Sequence, residues 1–444
     1  MPTLLEAQQG PISDINIQAT EPAVRWSLPL RVGFRFAFAY FALFCFPFPI
    51  SALPYTGTLG GWYNQLWNWI VAWAGKHLLH MANPISPAFT GSGDTTYGWV
   101  FLLCQLLVAA VAVLLWSALD RRRDNYQKLH AWLRLYVRLY LGATLLTYGA
   151  FKVIPSQMPS PWLWRYLETY GDSSPMGLLW TFMGASPAYE AFTGSVEMLG
   201  GILLFVPRLS TLGALVSAAA MTNVFILNMC YDVPVKIYSF QLLAMSVLLL
   251  IPELRRLADI FIFNRAAEPA IYQPLFVRKR LVQGLLIVQL ALGMWFVGAD
   301  LYQSYKGRKS FTQDARVKAP LFGYWLVDEF SVNGTERPPL VTDNLRWQKV
   351  VLELTSAFGV QGTNGSVQRF VARMDVDKKT ISLTKRDDPK FKATLTFANP
   401  TPDLMTIDTQ LEGQQIHMKL HHGDPKFLLN SRGFHWVNEV PYNR

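Results

Sequence analysis

Seven long apolar runs occupy the first two thirds of the sequence, and they limit the chain to a small set of folds. They lie near residues 33–53, 97–119, 132–154, 188–206, 210–231, 236–252 and 282–303. A helix needs about 20 mostly apolar residues to cross about 30 Å of hydrocarbon. We therefore predict an α-helical membrane bundle of about seven transmembrane helices over 31–303. A polar N-terminal segment, 1–30, precedes it, and a separate domain, 304–444, follows.

The basic residues between the runs are unevenly distributed. One set of segments contains thirteen, namely Arg25, Arg31, Arg121, Arg122, Arg123, Lys128, Arg208, Arg255, Arg256, Arg265, Arg278, Lys279 and Arg280. The opposite loops contain three, Lys76, Arg165 and Lys236. Basic loops stay in the cytoplasm, so we expect a bacterial inner-membrane protein with a cytoplasmic N-terminal segment and an extracytoplasmic C-terminal domain. Inner loops facing anionic membrane lipid account for the net charge of +10 without a nucleic acid partner.

A tryptophan-rich stretch lies in the first predicted outer loop. Trp62, Trp69 and Trp73 recur at helical spacing, and indole rings favour the boundary between lipid headgroups and tails. The stretch is therefore predicted to be a helix on the outer membrane surface. His77 and His80 have the spacing of a metal pair, but no carboxylate or cysteine stands nearby, which favours an ordinary interfacial role and no metal site.

The second predicted outer loop, 155–187, combines prolines with aromatic residues. Its prolines are Pro155, Pro159, Pro161, Pro175 and Pro187. Prolines at this density interrupt regular helices. We expect an irregular lid over the outer face of the bundle.

The C-terminal domain changes from helical to strand periodicity. In "FKATLTFA" (391–398) and "IHMKLHH" (416–422), apolar and polar residues alternate. Further runs near 324–331, 349–355, 367–374, 379–384, 404–410 and 433–437 bring the total to about eight strands. Turn signals stand at Asn333-Gly334, Asn364-Gly365 and Glu412-Gly413. An all-β barrel or sandwich without disulfides is predicted, because the domain contains no cysteine.

The start of the first strand, Gly323-Tyr324-Trp325, resembles the Gly-x-Trp opening of lipocalin-like barrels, whose Trp closes the barrel floor. In such barrels a late arginine packs across the Trp, and Arg432 or Arg444 is the expected equivalent. The domain is then either a structural cap without a ligand or the holder of a small apolar pocket.

Polar and charged residues collect at the predicted outer ends of several spans. Ionised side chains inside a bilayer cost about 3 kcal/mol and usually face a partner in the protein interior. The candidate residues of an outward-facing ligand pocket are Tyr148, Lys152, Glu190, Glu197, Asn223, Asn228, Asp232 and Lys236. We expect Lys152 to pair with Glu197, and Asn228 and Asp232 to complete the wall. The structural alternative is that Asp232 and Lys236 are boundary loop residues and that Lys152 reaches the headgroups.

Several chemical signatures are missing from the sequence. None of the seven histidines falls inside a predicted span, and no Cys-x-x-Cys, phosphate-loop, dinucleotide or His-Glu-x-x-His motif occurs. No metal site or tightly bound cofactor is expected. If the protein handles electrons, a mobile quinone is the expected carrier.

Residues 132–262 resemble the DoxX-like family of small four-helix membrane proteins. The resemblance rests on Gly149 and Lys152 in "LTYGAFK", Glu197 with Gly200-Gly201 in "GSVEMLGG", and Arg208 and Gly213 in the following turn and helix. The family includes the DoxD-type large subunit of a thiosulfate:quinone oxidoreductase. The resemblance therefore implies a four-helix core and quinone-linked redox work. The additional N-terminal spans, last span and β domain depart from the small family form.

Two functions from different classes follow as hypotheses. The first is a DoxX-like membrane protein whose outward-facing polar pocket binds a small or lipid-soluble ligand, in quinone-linked redox work. The second is a non-enzymatic envelope scaffold or assembly factor whose β domain, 304–444, docks a protein partner.

Overall fold

Helices fill the N-terminal two thirds of the chain, as the apolar runs predict. The computed structural model describes residues 25–52, 56–88, 90–269, 275–311, 320–385, 388, 390–411, 413–424 and 426–443. Its helices are α1 (Leu28–Cys45), α2 (Gly57–His77), α3 (Thr96–Leu119), α4 (Gln127–Val153), α5 (Leu163–Leu167), α6 (Pro175–Ala185), α7 (Pro187–Phe205), α8 (Ser210–Cys230), α9 (Lys236–Leu250), α10 (Leu254–Phe261), α11 (Lys279–Phe311) and α12 (Leu428–Ser431).

The chain divides into two compact units that do not follow the membrane and β boundary. The first contains residues 1–89, 96–137 and 269–279, and the second contains 90–95, 138–268 and 280–444. The second unit therefore includes both the β domain and most of the helices that carry the candidate residues.

Among the described residues, five helical segments are long and apolar enough to cross a membrane. They are Leu28–Cys45, Thr96–Leu119, Pro207–Cys230, Lys236–Phe261 and Lys279–Lys309. These segments confirm a membrane-type helical region. The helices α4 and α7 have 27 and 19 residues but are not among the five; Lys152 lies on α4 and Glu190 and Glu197 lie on α7.

Prolines set several helix ends differently from the prediction. The helix α1 ends at Cys45, well before residue 53, because Pro47 and Pro49 follow directly. Conversely, the outer loop 155–187 is not wholly irregular. Pro175 occupies the first turn of α6, where a missing N–H costs nothing, and the Ser174 side chain accepts a hydrogen bond from the Gly177 N–H.

The tryptophan-rich stretch forms α2. Trp62, Trp69 and Trp73 are 76%, 67% and 52% exposed, which puts them on the uncovered side of the helix. The opposite side of α2, including Trp67 and Val71, is buried in one apolar cluster with Val100 and Cys104 of α3.

The C-terminal domain is an eight-strand antiparallel β-barrel, which confirms the barrel alternative. The described part of the domain contains nine strands, of which all but β2 form the barrel: β1 (Gly323–Val332), β2 (Thr335–Glu336), β3 (Trp347–Leu354), β4 (Ala357–Gly362), β5 (Val367–Asp375), β6 (Thr380–Thr384), β7 (Lys392–Thr401), β8 (Leu404–Leu411) and β9 (Gln414–His422). Neighbours pair in the order β1-β3-β4-β5-β6-β7-β8-β9, and β9 pairs with β1 to close the barrel. The short β2 extends β1 through the Asn333-Gly334 turn.

Seven of the eight predicted strand runs correspond to barrel strands, and one is wrong. Residues 433–437 contain no strand, and their apolar side chains are exposed. The barrel instead uses β4, which sequence alternation missed because Gly359 and Gly362 interrupt it. This strand follows β3 after only two residues, Thr355 and Ser356, so the pair forms a tight hairpin.

Apolar side chains from all eight barrel strands form one buried cluster inside the barrel. Trp325 is 1% exposed and donates a hydrogen bond from Nε1 to the Leu321 carbonyl oxygen, at 3.1 Å. The edge-on ring of His422 packs against it, with centroids 5.0 Å apart. The expected packing of Arg432 across Trp325 is wrong, since Arg432 lies over the Tyr442 ring instead. Arg444 lies outside the described residues.

We predict that the fragment 314–444 folds alone, giving a β-type circular dichroism spectrum and a cooperative melt. Ile381 is fully buried and pairs with Leu395 across β6 and β7. Ile381→Ala should therefore lower the free energy of unfolding by about 2–5 kcal/mol. Ser382→Ala, at the next position on the exposed face of β6, is the matched control and should change it by less than about 0.5 kcal/mol. Equal effects of the two changes would contradict a packed barrel core.

Candidate functional site

A buried ion pair joins α4 to α7. Lys152 Nζ donates a hydrogen bond to Glu197 Oε1, and the two residues are only 6% and 2% exposed. The pairing expected from sequence is therefore present, and it is direct. Burying either charge alone would be costly, and the ion pair offsets this desolvation cost for both side chains.

Glycines allow the two helices to come close enough for this contact. A Cβ atom on Gly194 would lie 2.5 Å from the Lys152 Cβ and 2.6 Å from the Gly149 carbonyl oxygen. One Cβ on Gly201 would lie 2.9 Å from the Gly142 carbonyl oxygen. Gly142 and Gly149 are seven residues apart on α4, and Gly194 and Gly201 are seven apart on α7. Gly142 contacts Gly201, whereas Gly149 contacts Gly194, so the numbers run in opposite directions. The helices α4 and α7 are therefore antiparallel and in backbone contact along one face.

Glu190 lies one heptad before Glu197 on α7 and contacts the loop 155–187, which we call the lid. It is fully buried, and its Oε1 accepts a hydrogen bond from the Met158 N–H at 3.0 Å. Met158 belongs to a buried apolar cluster with Leu179 and Met183 of α6 and with Val233. The first residues of the lid are therefore fixed to the helix bundle by both a carboxylate and an apolar contact.

Two carboxylate oxygens in this region have no hydrogen-bond partner among the described residues. They are Oε2 of Glu190 and Oε2 of Glu197, and both are buried. Buried polar atoms are nearly always satisfied, by protein, water or ligand. The site can therefore accept hydrogen bonds from a donor group that enters it.

The hydrogen bonds and ion pairs of Asn228, Asp232 and Lys236 go to α8, α9 and Asp94 and not to Lys152 or Glu197. Asn228 is buried and donates from Nδ2 to Ser239 Oγ at 3.0 Å, which links α8 to α9. Asn223 lies on an exposed face of α8. The Asp232 side chain is 84% exposed and forms a 2.7 Å ion pair with Lys236.

The turn between α8 and α9 is instead organised by Asp94, from the segment before α3. Its carboxylate accepts hydrogen bonds from the Lys236 N–H at 2.7 Å and the Ile237 N–H at 3.0 Å, and so caps α9. Asp232 has a left-handed backbone, with φ of 50°, typical of a tight turn. The hydrogen bonds and ion pairs of Asp232 and Lys236 fit the boundary-loop alternative at these two positions.

Tyr148 is 39% exposed, and its ring centroid lies 6.0 Å from that of Tyr238 on α9. Tyr148 precedes Lys152 by one helical turn, so the two aromatic rings stand on the α9 side of the polar region.

Sequence reasoning missed the polar contacts of α11. Thr147 Oγ1 donates to Asp300 Oδ2 at 2.9 Å, and Arg138 Nη2 donates to Gln289 Oε1. From the Arg138–Gln289 contact to the Thr147–Asp300 contact, the residue numbers increase on both helices. The helices α4 and α11 are therefore parallel neighbours. An aspartate near the C-terminal end of the last apolar run was the available signal.

The barrel contacts the lid through its outer surface, which the sequence also did not predict. The Arg369 guanidinium lies 3.4 Å from the centroid of the Trp164 ring. Gln361 Nε2 donates to the Leu167 carbonyl oxygen at 3.2 Å, and Phe427 stacks on Tyr166 with centroids 4.7 Å apart. The lid is therefore held from the bundle side by Glu190 and from the barrel side by these contacts.

Comparison with known proteins adds one relative. No protein-family model matches the chain, and no solved structure matches it. A Bacillus subtilis (strain 168) protein described as "Uncharacterized protein YwoB" is 31% identical over 133 residues, which are 28% of this chain and 79% of YwoB. In the described part of the chain, no group of three or more His, Cys, Asp or Glu side chains is placed to hold a metal ion.

We predict that Gly194→Ala separates α4 from α7 and weakens the ion pair, because the new methyl group would overlap the Lys152 Cβ and the Gly149 carbonyl oxygen. The free energy of unfolding in detergent should fall by about 1–3 kcal/mol. Gly298→Ala in α11 is the control, since a Cβ there meets nothing within 4 Å. It should be neutral or stabilising by up to about 1 kcal/mol. Equal melting curves for both variants would refute the close approach.

Proposed function

We propose that this chain, which belongs to the same family as Bacillus subtilis YwoB, is a multi-pass membrane protein with a polar site for a small or lipid-soluble ligand. The observation that carries the proposal is the buried Lys152–Glu197 pair, with a partnerless carboxylate oxygen on Glu197 and another on Glu190. Ionisable residues inside membrane helices are costly and usually mark a binding or transport site.

Contacts between helix ends support a count of seven crossings. Segments that touch outside the membrane lie on the same side, so an even number of crossings must separate them. Trp26 N–H donates to the Asp124 carbonyl oxygen at 2.9 Å, which brings the start of α1 to the loop after α3. With α1 and α3 crossing, α2 cannot cross as well. This supports the placement of α2 on the membrane surface.

Two further contacts bear on α4 and α7. Gly93 N–H donates to the Pro234 carbonyl oxygen at 2.7 Å, so the crossings among α3, α4, α7 and α8 must be even in number. The contact of the lid with the barrel requires that an even number of the helices α7, α8, α9 and α11 cross. If the five apolar segments cross, both conditions hold only when α4 and α7 also cross. The count is then seven.

The thirteen-to-three distribution of basic residues gives this topology its direction. Under the positive-inside rule the N-terminus is cytoplasmic, and the lid and barrel face the outside of a bacterial inner membrane. The polar site is then in the outer half of the bundle, beneath the lid.

A quinone is the ligand class that we propose first. Lys152 offers N–H donors and the two free carboxylate oxygens offer acceptors, which suits a head group with carbonyl oxygens when oxidised and hydroxyls when reduced. The aromatic rings of Tyr148 and Tyr238 flank the same region.

The proposed relationship to the DoxX-like family is supported by the packing of its motif residues. Gly149 meets α7 at Gly194, Gly201 meets α4, and Gly200 and Gly213 lie against α8 and α7. All four therefore occupy close helix contacts in the proposed four-helix core.

The scaffold function is the rival proposal. The filled barrel interior supports it, but only as a function of the C-terminal domain. Because apolar side chains pack throughout the barrel core, the outer surface is the part that is open to a partner. A protein that folds normally but binds no quinone would favour this rival.

Reporter fusions test the topology. Alkaline phosphatase fused after Ser173 in the lid should be active, and the same enzyme fused after Arg208 should be inactive, because only α6 and α7 separate the two sites. A fusion at the end of the full chain should be active and one after Arg123 inactive. Green fluorescent protein at the same four positions should give the inverse result. Activity at both Ser173 and Arg208 would remove α7 from the crossing helices.

Substitution of the ion pair tests the site. Glu197→Gln or Lys152→Met leaves one buried group uncompensated and should cost about 3–5 kcal/mol of stability. Each should also weaken binding of a short-chain ubiquinone analogue, measured by calorimetry, by at least about tenfold. The double variant should lose less stability than the sum of the single variants.

The matched control is Lys378→Met, which breaks the exposed ion pair of Lys378 with Asp375 in the barrel. It should leave both stability and binding near the parent values. If the single variants lose stability but bind the analogue like the parent, the ion pair is structural and the quinone site is wrong.

A further inference from the structure

The chain beyond the barrel exposes an unusual amount of apolar surface. We call residues 426–443 the C-terminal segment. Within it, Trp436 is 91% exposed, Phe434 76% and Val437 72%. Leu428, Leu429 and Val440 are also more than two fifths exposed. Large contiguous apolar surfaces on a folded domain usually mark an interaction site.

Internal contacts give this segment a defined shape. The Arg432 guanidinium lies 4.1 Å from the Tyr442 ring centroid and also bonds the Asn438 side chain. Asn438 Nδ2 in turn donates to the His435 carbonyl oxygen at 3.2 Å. Phe434 and Trp436 pack edge to face, with centroids 5.0 Å apart. The polar groups therefore close a loop and leave these two rings uncovered.

The segment starts beside α5 of the lid. Phe427 stacks on Tyr166 of α5 and packs against Tyr324 of β1. The neighbouring Arg165 is in contact distance of Gly177 in α6, which leads directly into α7. The segment is thus connected through α5 and α6 to the outer end of α7, a proposed membrane span.

The chemistry of the segment matches the membrane interface. Trp, Tyr and Phe rings favour the headgroup level, and Lys426 and Arg432 supply cations for lipid phosphates. We propose that the C-terminal segment inserts Phe434 and Trp436 into the outer leaflet and so anchors the barrel to the lipid surface. The inference rests on the proposed topology, which puts the lid at that surface.

A fluorescent probe tests the contact in the full-length protein. In a Cys230→Ser background, Trp436→Cys is labelled with a nitrobenzoxadiazole dye, and the protein is reconstituted in phosphatidylcholine and phosphatidylglycerol vesicles. Cys45 and Cys104 are buried and should not label. Glu336→Cys is the control, because its exposed side chain lies on β2 at the opposite end of β1.

The dye at position 436 should emit at shorter wavelength than at 336 and be quenched at least about twofold more by headgroup-level doxyl lipids. Equal quenching at both positions would overturn the proposal. A blue shift at 436 without lipid quenching would also overturn it, since a protein partner or a second copy would then cover the segment. The reporter fusions after Ser173 and Arg208 distinguish either result from a failure of the topology.

Discussion

The pairing of Lys152 with Glu197 is the contact on which the arrangement of the helices depends. Burying a single charged side chain in the protein interior is costly, so neither residue is tolerated there without the other. The pair requires α4 and α7 to approach more closely than ordinary side chains allow. Gly149 and Gly194 make that approach possible because their backbones touch where a Cβ would collide. The ion pair therefore depends on the glycines, because only they allow α4 and α7 to approach closely enough.

The same constraint extends outward through Glu190. One heptad before Glu197, its carboxylate accepts the Met158 N–H and fixes the first residues of the lid. The lid then carries Trp164 and Tyr166 to the barrel, where Arg369 and Phe427 pack on their rings. A continuous series of contacts therefore runs from the ion pair to the barrel within the second compact unit.

The sequence was informative wherever one physical effect acted alone. Strict alternation located β7 and β9 because each has one buried and one wet face, and burial cost alone predicted the partner of Lys152. It failed where effects competed. The glycines of β4 hid a strand, and Pro175, expected to break a helix, starts one because it stands in the first turn.

Long-range contacts were the other limit. Nothing in the local sequence links Asp94 to the start of α9, or Thr147 to Asp300, because each pair is far apart in the chain. Apolar residues at 433–437 were read as a strand because strands and interfacial loops share Phe, Trp and Val. In the structure these residues are exposed and form no strand.

The barrel is the second support of the lid. A closed barrel has no free strand edge, and this one is filled by apolar side chains, so its influence on the helices passes through its outer surface. That surface meets the lid at Trp164, Tyr166 and Leu167. The lid in turn joins the C-terminal end of α4 to the N-terminal end of α7. Under the proposed topology, a ligand from the outer side would approach the ion pair next to a lid that the barrel holds in place, whereas a ligand from the lipid would approach between the helices. The route of entry therefore decides whether the barrel controls the site or only stabilises the bundle.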